Sequence, residues 1–302
     1  QAKVKPGADL NSVRDPSDRR RVLGQSSDAT EAQIESAFAL ASSAQPLWDE
    51  IGGVARAKIL RHVADALEAQ ILPLTALLCR EAGKTLTDGL MEVREAADFC
   101  RYYARLAETQ FETAELLTGP VGETNSLALR GRGVFVCISP WNFPLAIFTG
   151  QIAAALAAGN AVLAKPAEQT PLIAAAAVRL FHASGLDPRL LALIPGPGET
   201  VGANLCAHRA CDGVAFTGGV QTAQAINLIL AHRAGPIIPL IAETGGLNGL
   251  FVDTTAQREQ VIDDVMASAF GSAGQRCSAA RILFVQTDIA DKVLEMLAGA
   301  MD

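Results

Sequence analysis

The 302-residue sequence predicts an α/β protein in which a parallel, twisted sheet follows a largely helical N-terminal region. Three observations carry this. Helical spacing runs through nearly all of the residues between Thr30 and about residue 107. From Val134 onward, short β-favouring runs alternate with segments long enough for helices. Those runs are apolar on both faces, as in Gly133-Val134-Phe135-Val136-Cys137-Ile138, and strands lying between two helical layers require that pattern.

Residues 1–27 are polar and rich in Arg, Asp and Pro, and read as an irregular lead-in. Thr30, with Glu31 and Gln33 after it, marks the capped start of a helix whose apolar face is Ile34, Ala37, Phe38 and Ala41. Further helices are expected over 54–68, with Ile59, Leu60, Val63 and Leu67 on one face, over 73–82, and over 88–107. Gly119, Pro120 and Gly122 precede the alternating Ser126-Leu127-Ala128-Leu129-Arg130, which predicts an exposed hairpin within 112–131. Strands are then expected at 134–138, 161–165, 190–194, 213–216 and 237–242, with helices at 145–158, 171–184, 199–207 and 221–233 between them. Such alternation with short links implies right-handed crossovers and a Rossmann-type sheet. After Gly246 come a strand at 249–252, a helix at 258–270, a Gly-rich loop holding Cys277, and a strand at 281–286.

Composition narrows the functional classes. Half the residues are hydrophobic and 19% are charged, which suits a globular chain, and 5% aromatics leave the core to Ala, Leu, Val and Ile. A net charge of −7 excludes a general nucleic-acid binder, which needs a basic face. None of the six cysteines forms a CxxC pair and the four histidines do not cluster with them, so neither a disulfide framework nor a metal site is expected. Reduced thiols in a cytoplasmic protein are the simplest reading. The apolar run at 152–163 is broken by Gly159 and Asn160 and is too short to span a bilayer. A start at Gln1 rather than Met suggests a piece of a longer polypeptide.

Two motifs are look-alikes. Gly83-Lys84-Thr85 resembles the end of a phosphate-binding loop, but the partner glycine would fall at Leu78 and the segment lies among helices. Gly196–Gly202 resembles a dinucleotide fingerprint with its last glycine one residue too far along, and a plain strand-to-helix turn explains it equally.

Other segments carry chemistry. Asn142, in Ser139-Pro140-Trp141-Asn142-Phe143-Pro144 after a buried strand, is either a turn residue or a neutral donor for a developing oxyanion. Lys165 and Glu168 stand at the carboxyl edge of the next strand, either as a surface ion pair or as ribose ligands. A carboxylate there repels a 2′-phosphate and favours NAD over NADP. Phe216-Thr217-Gly218-Gly219 ends a strand and opens a helix, where backbone N–H groups can cradle a pyrophosphate. Glu243, before Thr244-Gly245-Gly246, ends a strand expected to be buried, and the partial desolvation suits a general base; a carboxylate tying down a loop is the other reading. Cys277, in Gly274-Gln275-Arg276-Cys277-Ser278, lies in a Gly-flanked loop between a helix and a strand, with Arg276 placed to favour a thiolate. The other five cysteines read as buried apolar residues.

Together, Ser-Pro-Trp-Asn, Lys-Pro-Ala-Glu, Phe-Thr-Gly, Glu-Thr-Gly-Gly and Gly-Gln-Arg-Cys, in that order over nearly the whole chain, resemble the aldehyde dehydrogenase superfamily. Within it, residues 139–151, 163–171, 241–246, 92–103 and 268–278 resemble the branch of proline utilization A, whose C-terminal part oxidises glutamate γ-semialdehyde. The resemblance implies Cys277 as nucleophile, Glu243 as general base and Asn142 as oxyanion donor. It implies NAD contacts from Ser139, Pro140, Trp141, Lys165, Glu168, Gly198, Phe216, Thr217, Gly218, Gly219, Thr244 and Gly245, and substrate contacts from Phe143 and Ser278. It implies an NAD-binding domain over 1–111 and 132–245, an oligomerisation hairpin over 112–131 that makes a homodimer, and the start of a catalytic domain over 246–302. Gly219 departs from the Ser usual after Thr-Gly. The family's Glu-Ile-Phe-Gly-Pro motif does not occur in the 25 residues after Cys277, and no FAD-dependent proline dehydrogenase barrel precedes the helices. The chain is therefore expected to be truncated within the catalytic domain and to turn over little by itself. Rival readings are a dehydrogenase of another aldehyde such as succinate semialdehyde, a CoA-acylating relative, which would have no use for Glu243, and a non-catalytic NAD-binding or assembly module.

Overall fold

The N-terminal segment is not the irregular lead-in that its polar composition suggests. The structure, a computed structural model, describes residues 10–302, so that expectation for residues 1–9 lies outside the described residues. Residues 10–27 form an antiparallel pair, β1 (Leu10–Asp15) and β2 (Asp18–Ser27). Asp15 closes the turn by accepting from the Ser17 N–H at 2.9 Å and the Ser17 hydroxyl at 2.6 Å. The pair is polar because it is mostly exposed, so no apolar alternation betrays it.

Four helices follow: α1 (Glu31–Glu50), α2 (Gly53–Ala69), α3 (Ile71–Glu81) and α4 (Leu86–Gln110). Thr30 and Gln33 form the reciprocal capping box that the sequence suggests, with the Thr30 N–H donating to Gln33 Oε1 at 2.8 Å. Leu60, Val63 and Leu67 on α2 and Leu78 on α3 are buried, each contributing about 1.5–3 kcal/mol of apolar burial. The chain then forms an exposed hairpin, β3 (Glu115–Leu117) paired antiparallel with β4 (Asn125–Leu127).

The central sheet comes next. Its elements are β5 (Val134–Ile138), α5 (Ala146–Ala157), β6 (Ala161–Lys165), α6 (Pro171–Ala183), β7 (Leu191–Leu193), α7 (Ala203–Ala207), β8 (Gly213–Gly218), α8 (Val220–His232) and β9 (Leu240–Thr244). A π-type turn at Gly198–Gly202 leads into α7, so the helix expected from 199 is shorter and irregular at its start. The strand expected at 237–242 begins later, after Pro239, and runs to Thr244. Strand order is β7-β6-β5-β8-β9, and β5 pairs parallel with both β6 and β8. Chain order reverses between β5 and β8, and such a reversal opens a crevice at the carboxyl ends of those strands. Helices α5 and α6 pack against α2, α3 and α4 on their outer side, while α1 packs directly on β5, β6 and β7. Arg56, 1% exposed, donates to the carbonyls of Asp49 at 2.8 Å and Ala157 at 3.1 Å and so joins the ends of α1 and α5.

The described chain divides into two units, Gln1–Glu243 and Thr244–Asp302. In the second, β10 (Asn248–Val252) pairs parallel with β11 (Ala280–Val285). Helices α9 (Arg258–Val265) and α10 (Thr287–Met301) cover one face through Val261, Ile262, Val265 and Val293. The helix expected over 258–270 stops at Val265 and continues as a π-type turn, Met266–Phe270. Phe251 and Phe284 stack at 4.7 Å on the exposed side of this sheet. No helix among the described residues is long and apolar enough to cross a membrane.

Helix α6 has no side-chain cap of its own. Glu81, at the end of α3 and 3% exposed, supplies one by accepting from the N–H of Leu172 at 2.7 Å and of Ile173 at 2.8 Å. Burial pushes the Glu81 carboxyl up to about 7, against the pull of those two N–H groups. A carboxyl raised from 4.5 to about 7 binds its proton more tightly folded than unfolded, so its stability contribution is full below pH 4.5 and is lost as pH rises through about 7. The loss is on the order of 3 kcal/mol. Urea midpoints of Glu81→Gln are therefore expected to fall less than those of the unaltered chain across this window, and parallel profiles would remove the assignment.

Candidate active site

The carboxyl ends of β5 and β8 are tied together by one side chain. Gln151, on α5, donates through Nε2 to Thr217 Oγ1 at 3.0 Å and to the Ile138 carbonyl at 3.3 Å, and its Oε1 accepts from the Ser139 hydroxyl at 2.7 Å. Ser139 and Thr217, expected separately, thus meet at the crevice. The sequence reading missed Gln151 as a functional residue. Its signal is a long polar side chain in a helix whose other residues from Phe148 to Leu156 are apolar apart from the small Thr149.

Pro140 to Phe143 form the loop after β5. Trp141 is exposed, while Asn142 and Phe143 are half-buried. The loop ends where α5 begins, and there Glu92 of α4 accepts from the N–H of Leu145 at 2.8 Å and of Ala146 at 3.3 Å.

Lys165 and Glu168 form an ion pair whose cation is buried and whose carboxylate reaches the surface. The Lys165 side chain is 3% exposed, and Nζ donates to Glu168 Oε1 and to the Pro166 carbonyl, each at 3.0 Å. Desolvation raises the Glu168 carboxyl, but the N–H groups of its own residue and Gly198, together with Lys165, outweigh this and leave it below the usual range. Gly198 therefore belongs to this cluster as well. Helix α8 opens at Gly219 with no side-chain cap, and the space a Cβ would take at Gly219 is open. Phe216 is buried beneath, with Gly218 packed against its ring.

Glu243 departs from expectation. It is exposed together with Ile241 and Ala242, so both faces of β9 are uncovered at this end and the strand is not the buried one expected.

In the second unit, Thr244 is half-buried and Gly245 exposed. Cys277 and Ser278 are both exposed in the loop before β11. That loop is held from three sides. Asn248 Nδ2 donates to the Cys277 carbonyl at 2.6 Å and to the Ala279 carbonyl at 3.0 Å, Arg281 donates to the Gly274 carbonyl at 2.7 Å, and the Ala280 N–H donates to Ser268 Oγ at 3.2 Å. Ser272 and Ala273 have φ of 55° and 54°, left-handed values that side-chain-bearing residues adopt at a cost of about 1–3 kcal/mol and that cluster at functional loops. Asn248 was also missed; a carboxamide opening a strand directly after Gly245-Gly246-Leu247 reads as a turn residue. Four of the other five cysteines are buried as the sequence suggests, and Cys79 is the exception, at the edge of the buried face of α3 beside Leu78. Cys100, Cys137, Cys206 and Cys211 are buried, and desolvation pushes the thiols of Cys100 and Cys206 up to about 12 and that of Cys211 to about 11. Cys79 is half-buried, so Cys277 is the exposed thiol of the chain. Among the described residues no three His, Cys, Asp or Glu side chains gather as a metal site would require.

The aldehyde dehydrogenase family model matches residues 4–302. The chain belongs to the aldehyde dehydrogenase family. It is 49% identical over 296 residues to the bifunctional protein PutA of Salmonella typhimurium, covering 97% of this chain and 21% of that protein. It is 35% identical over 286 residues to the 1-pyrroline-5-carboxylate dehydrogenase of a Geobacillus species, covering 92% and 55%. Among solved structures, proline utilization A of Bradyrhizobium japonicum superposes with a TM-score of 0.88 at 54% identity, covering 91% of this chain and 28% of that one. The 1-pyrroline-5-carboxylate dehydrogenase from Thermus, solved with bound NAD, gives 0.93 at 33% identity, covering 97% and 57%. The chain thus spans about a fifth of the bifunctional relatives and just over half of the shorter dehydrogenases. An aldehyde dehydrogenase sheet of Rossmann type is what the order β7-β6-β5-β8-β9 represents.

Gln151→Leu keeps the size of the side chain and removes the three hydrogen bonds across the crevice. It is expected to lower unfolding stability by about 1–3 kcal/mol, read from denaturant midpoints at unchanged slope. An unaltered midpoint would mean that β5 and β8 need no bridge.

Proposed function

We propose that this chain supplies the cofactor-binding part and the nucleophile of an NAD-dependent dehydrogenase that oxidises glutamate γ-semialdehyde, the hydrolysed form of 1-pyrroline-5-carboxylate, to glutamate in proline catabolism. The observation that carries this reading is the exposed Cys277 in a strained, multiply anchored loop, in a chain of which 92% is similar to a 1-pyrroline-5-carboxylate dehydrogenase. The residues present suit NAD. Lys165 and Glu168 offer a donor and an acceptor to ribose hydroxyls at the carboxyl edge of β6, and Glu168 disfavours a 2′-phosphate. The uncapped start of α8 offers backbone N–H groups to a pyrophosphate, and Gly219 leaves room for its approach. Ser139, Pro140, Trp141, Thr217 and Gly218 edge the crevice between these two places, Thr244 ends the strand that carries Glu243, and Gly245 follows it.

In this reading the Cys277 thiolate adds to the aldehyde carbon, and the carbonyl oxygen becomes an oxyanion that accepts hydrogen bonds from the Asn142 carboxamide and the Cys277 N–H. NAD, held by Lys165, Glu168 and the start of α8, would supply the hydride acceptor that lets the thiohemiacetal on Cys277 become a thioester. Glu243 takes a proton from water, the resulting hydroxide adds to the thioester carbon, and collapse releases the carboxylic acid and the Cys277 thiolate. Exposure of Glu243 gives water direct access to it. Phe143 and Ser278 flank the reacting groups in sequence and contact the substrate. The hairpin β3–β4, with Leu116, Val121 and Leu127 exposed, joins two copies into a dimer. In the protein that carries this chain, a flavin-dependent proline dehydrogenase domain precedes it. Residues 1–302 alone turn over little, consistent with the exposed Phe251 and Phe284 face of the second unit.

The test follows NADH absorbance with 1-pyrroline-5-carboxylate, using the chain alone and the chain continued by the remaining catalytic residues of a matched dehydrogenase. The continued protein is expected to turn over, to lose on the order of 10³-fold or more in kcat with Cys277→Ala, and to lose about 10²–10³-fold with Asn142→Ala. Full activity of Cys277→Ala would sink the mechanism. Turnover by residues 1–302 at the rate of the continued protein would sink the claim that they need a partner segment.

A further inference from the structure

The proposed reaction gives Lys84 no part, and its phosphate-loop look-alike motif links two helices, α3 and α4, instead of following a strand. Its side chain is nevertheless only 6% exposed, and Nζ lies 3.0 Å from Glu92 Oε2, on a side chain 1% exposed. The glycine that lends the motif its appearance is a helix terminator. Gly83 adopts φ +67° after α3, the Lys84 N–H donates to the Leu78 carbonyl at 3.4 Å, and Thr85 caps α4 through the Asp88 N–H at 3.1 Å. The chain therefore reverses, and Lys84 turns inward toward Glu92 on α4.

This pair holds the Asn142 loop at two points. Lys84 Nζ sits 4.2 Å from the centroid of the Phe143 ring, the residue after Asn142. Glu92 Oε1 accepts from Leu145 and Ala146, where α5 starts without a side-chain cap of its own. A buried ion pair is a poor source of stability, since an apolar pair of equal volume does as well or better. What the pair adds is direction: two charge-assisted hydrogen bonds and a cation on a ring face fix where the loop's end lies.

We propose that Lys84 and Glu92 are positioning residues for the Asn142 loop, acting through Phe143 and through the first N–H groups of α5. The catalytic consequence rests on the reading of Asn142 as oxyanion donor; the effect on the loop does not.

The test is amide hydrogen exchange by mass spectrometry on the 302-residue chain, with acrylamide quenching of tryptophan emission alongside. Trp141 lies in the loop and is 43% exposed, whereas Trp48 is buried at 4%. Lys84→Met and Glu92→Gln are expected to speed exchange in peptides covering 140–147 on the order of tenfold, with β6 and α2 peptides unchanged and Trp141 quenching altered. Lys84→Arg, which keeps the cation, is expected to restore both. Equal acceleration across all peptides would reduce the pair to a stability element, and an unchanged loop would overturn the proposal outright. Should Lys84→Met fail to fold, Glu92→Gln, which keeps the shape and one acceptor, decides by the same criteria. No readout depends on turnover, so a loosened loop in a protein indifferent to Cys277→Ala would spare this pair and remove the dehydrogenase mechanism.

Discussion

The N–H groups that open a helix must be satisfied, and three helices of this chain open after the sheet strands β5, β6 and β8 without a side-chain cap of their own. Two of those starts are closed by carboxylates reaching across from the N-terminal helices, Glu92 to α5 and Glu81 to α6. Among the described residues no side chain caps the third, at Gly219. Of the three positive helix ends, two are thus tied to buried carboxylates of the N-terminal helices and one keeps its first N–H groups without a side-chain cap. The helical layer in front of the sheet therefore does more than cover apolar surface.

Burying those carboxylates is costly, and the chain manages each differently. Glu92 has Lys84 as a counter-charge; Glu81 has only backbone donors and keeps a carboxyl pushed up to about 7. The loops that precede the two helices carry Asn142 on one side and Lys165 with Glu168 on the other. Their ends are thus set by side chains far away in sequence, Glu81 lying 92 residues from Ile173. Gln151 completes the frame by joining β5 to β8 at the point where strand order reverses.

Much of this was legible in the sequence, for identifiable reasons. Continuous apolar runs made β5, β6 and β8 visible, and Thr30 with Gln33 announced α1. Ser139, Lys165 and Thr217 were visible because polar residues at the end of a buried strand stand out. What stayed hidden was non-local or unpatterned. The β1–β2 pair is polar on both faces and offers no period to read. Glu243 was expected in a buried strand because Leu240, Ile241 and Ala242 are apolar, yet β9 is an edge and that apolar surface is largely exposed. Lys84 and Glu92 were visible as residues and invisible as a pair, since nothing in their local sequence says that a helix end 53 residues on lacks a cap.

The central claim is that the crevice between β5 and β8 and the cluster at Lys165 form a cradle for NAD in this chain itself. Calorimetric titration of residues 1–302 with NAD and with NADP tests it most directly, independent of turnover. The account predicts saturable one-site binding of NAD and weaker binding of NADP on the order of tenfold or more, with Glu168→Gln narrowing the difference. No heat from either nucleotide, or equal affinity for both that Glu168→Gln leaves unchanged, would contradict it.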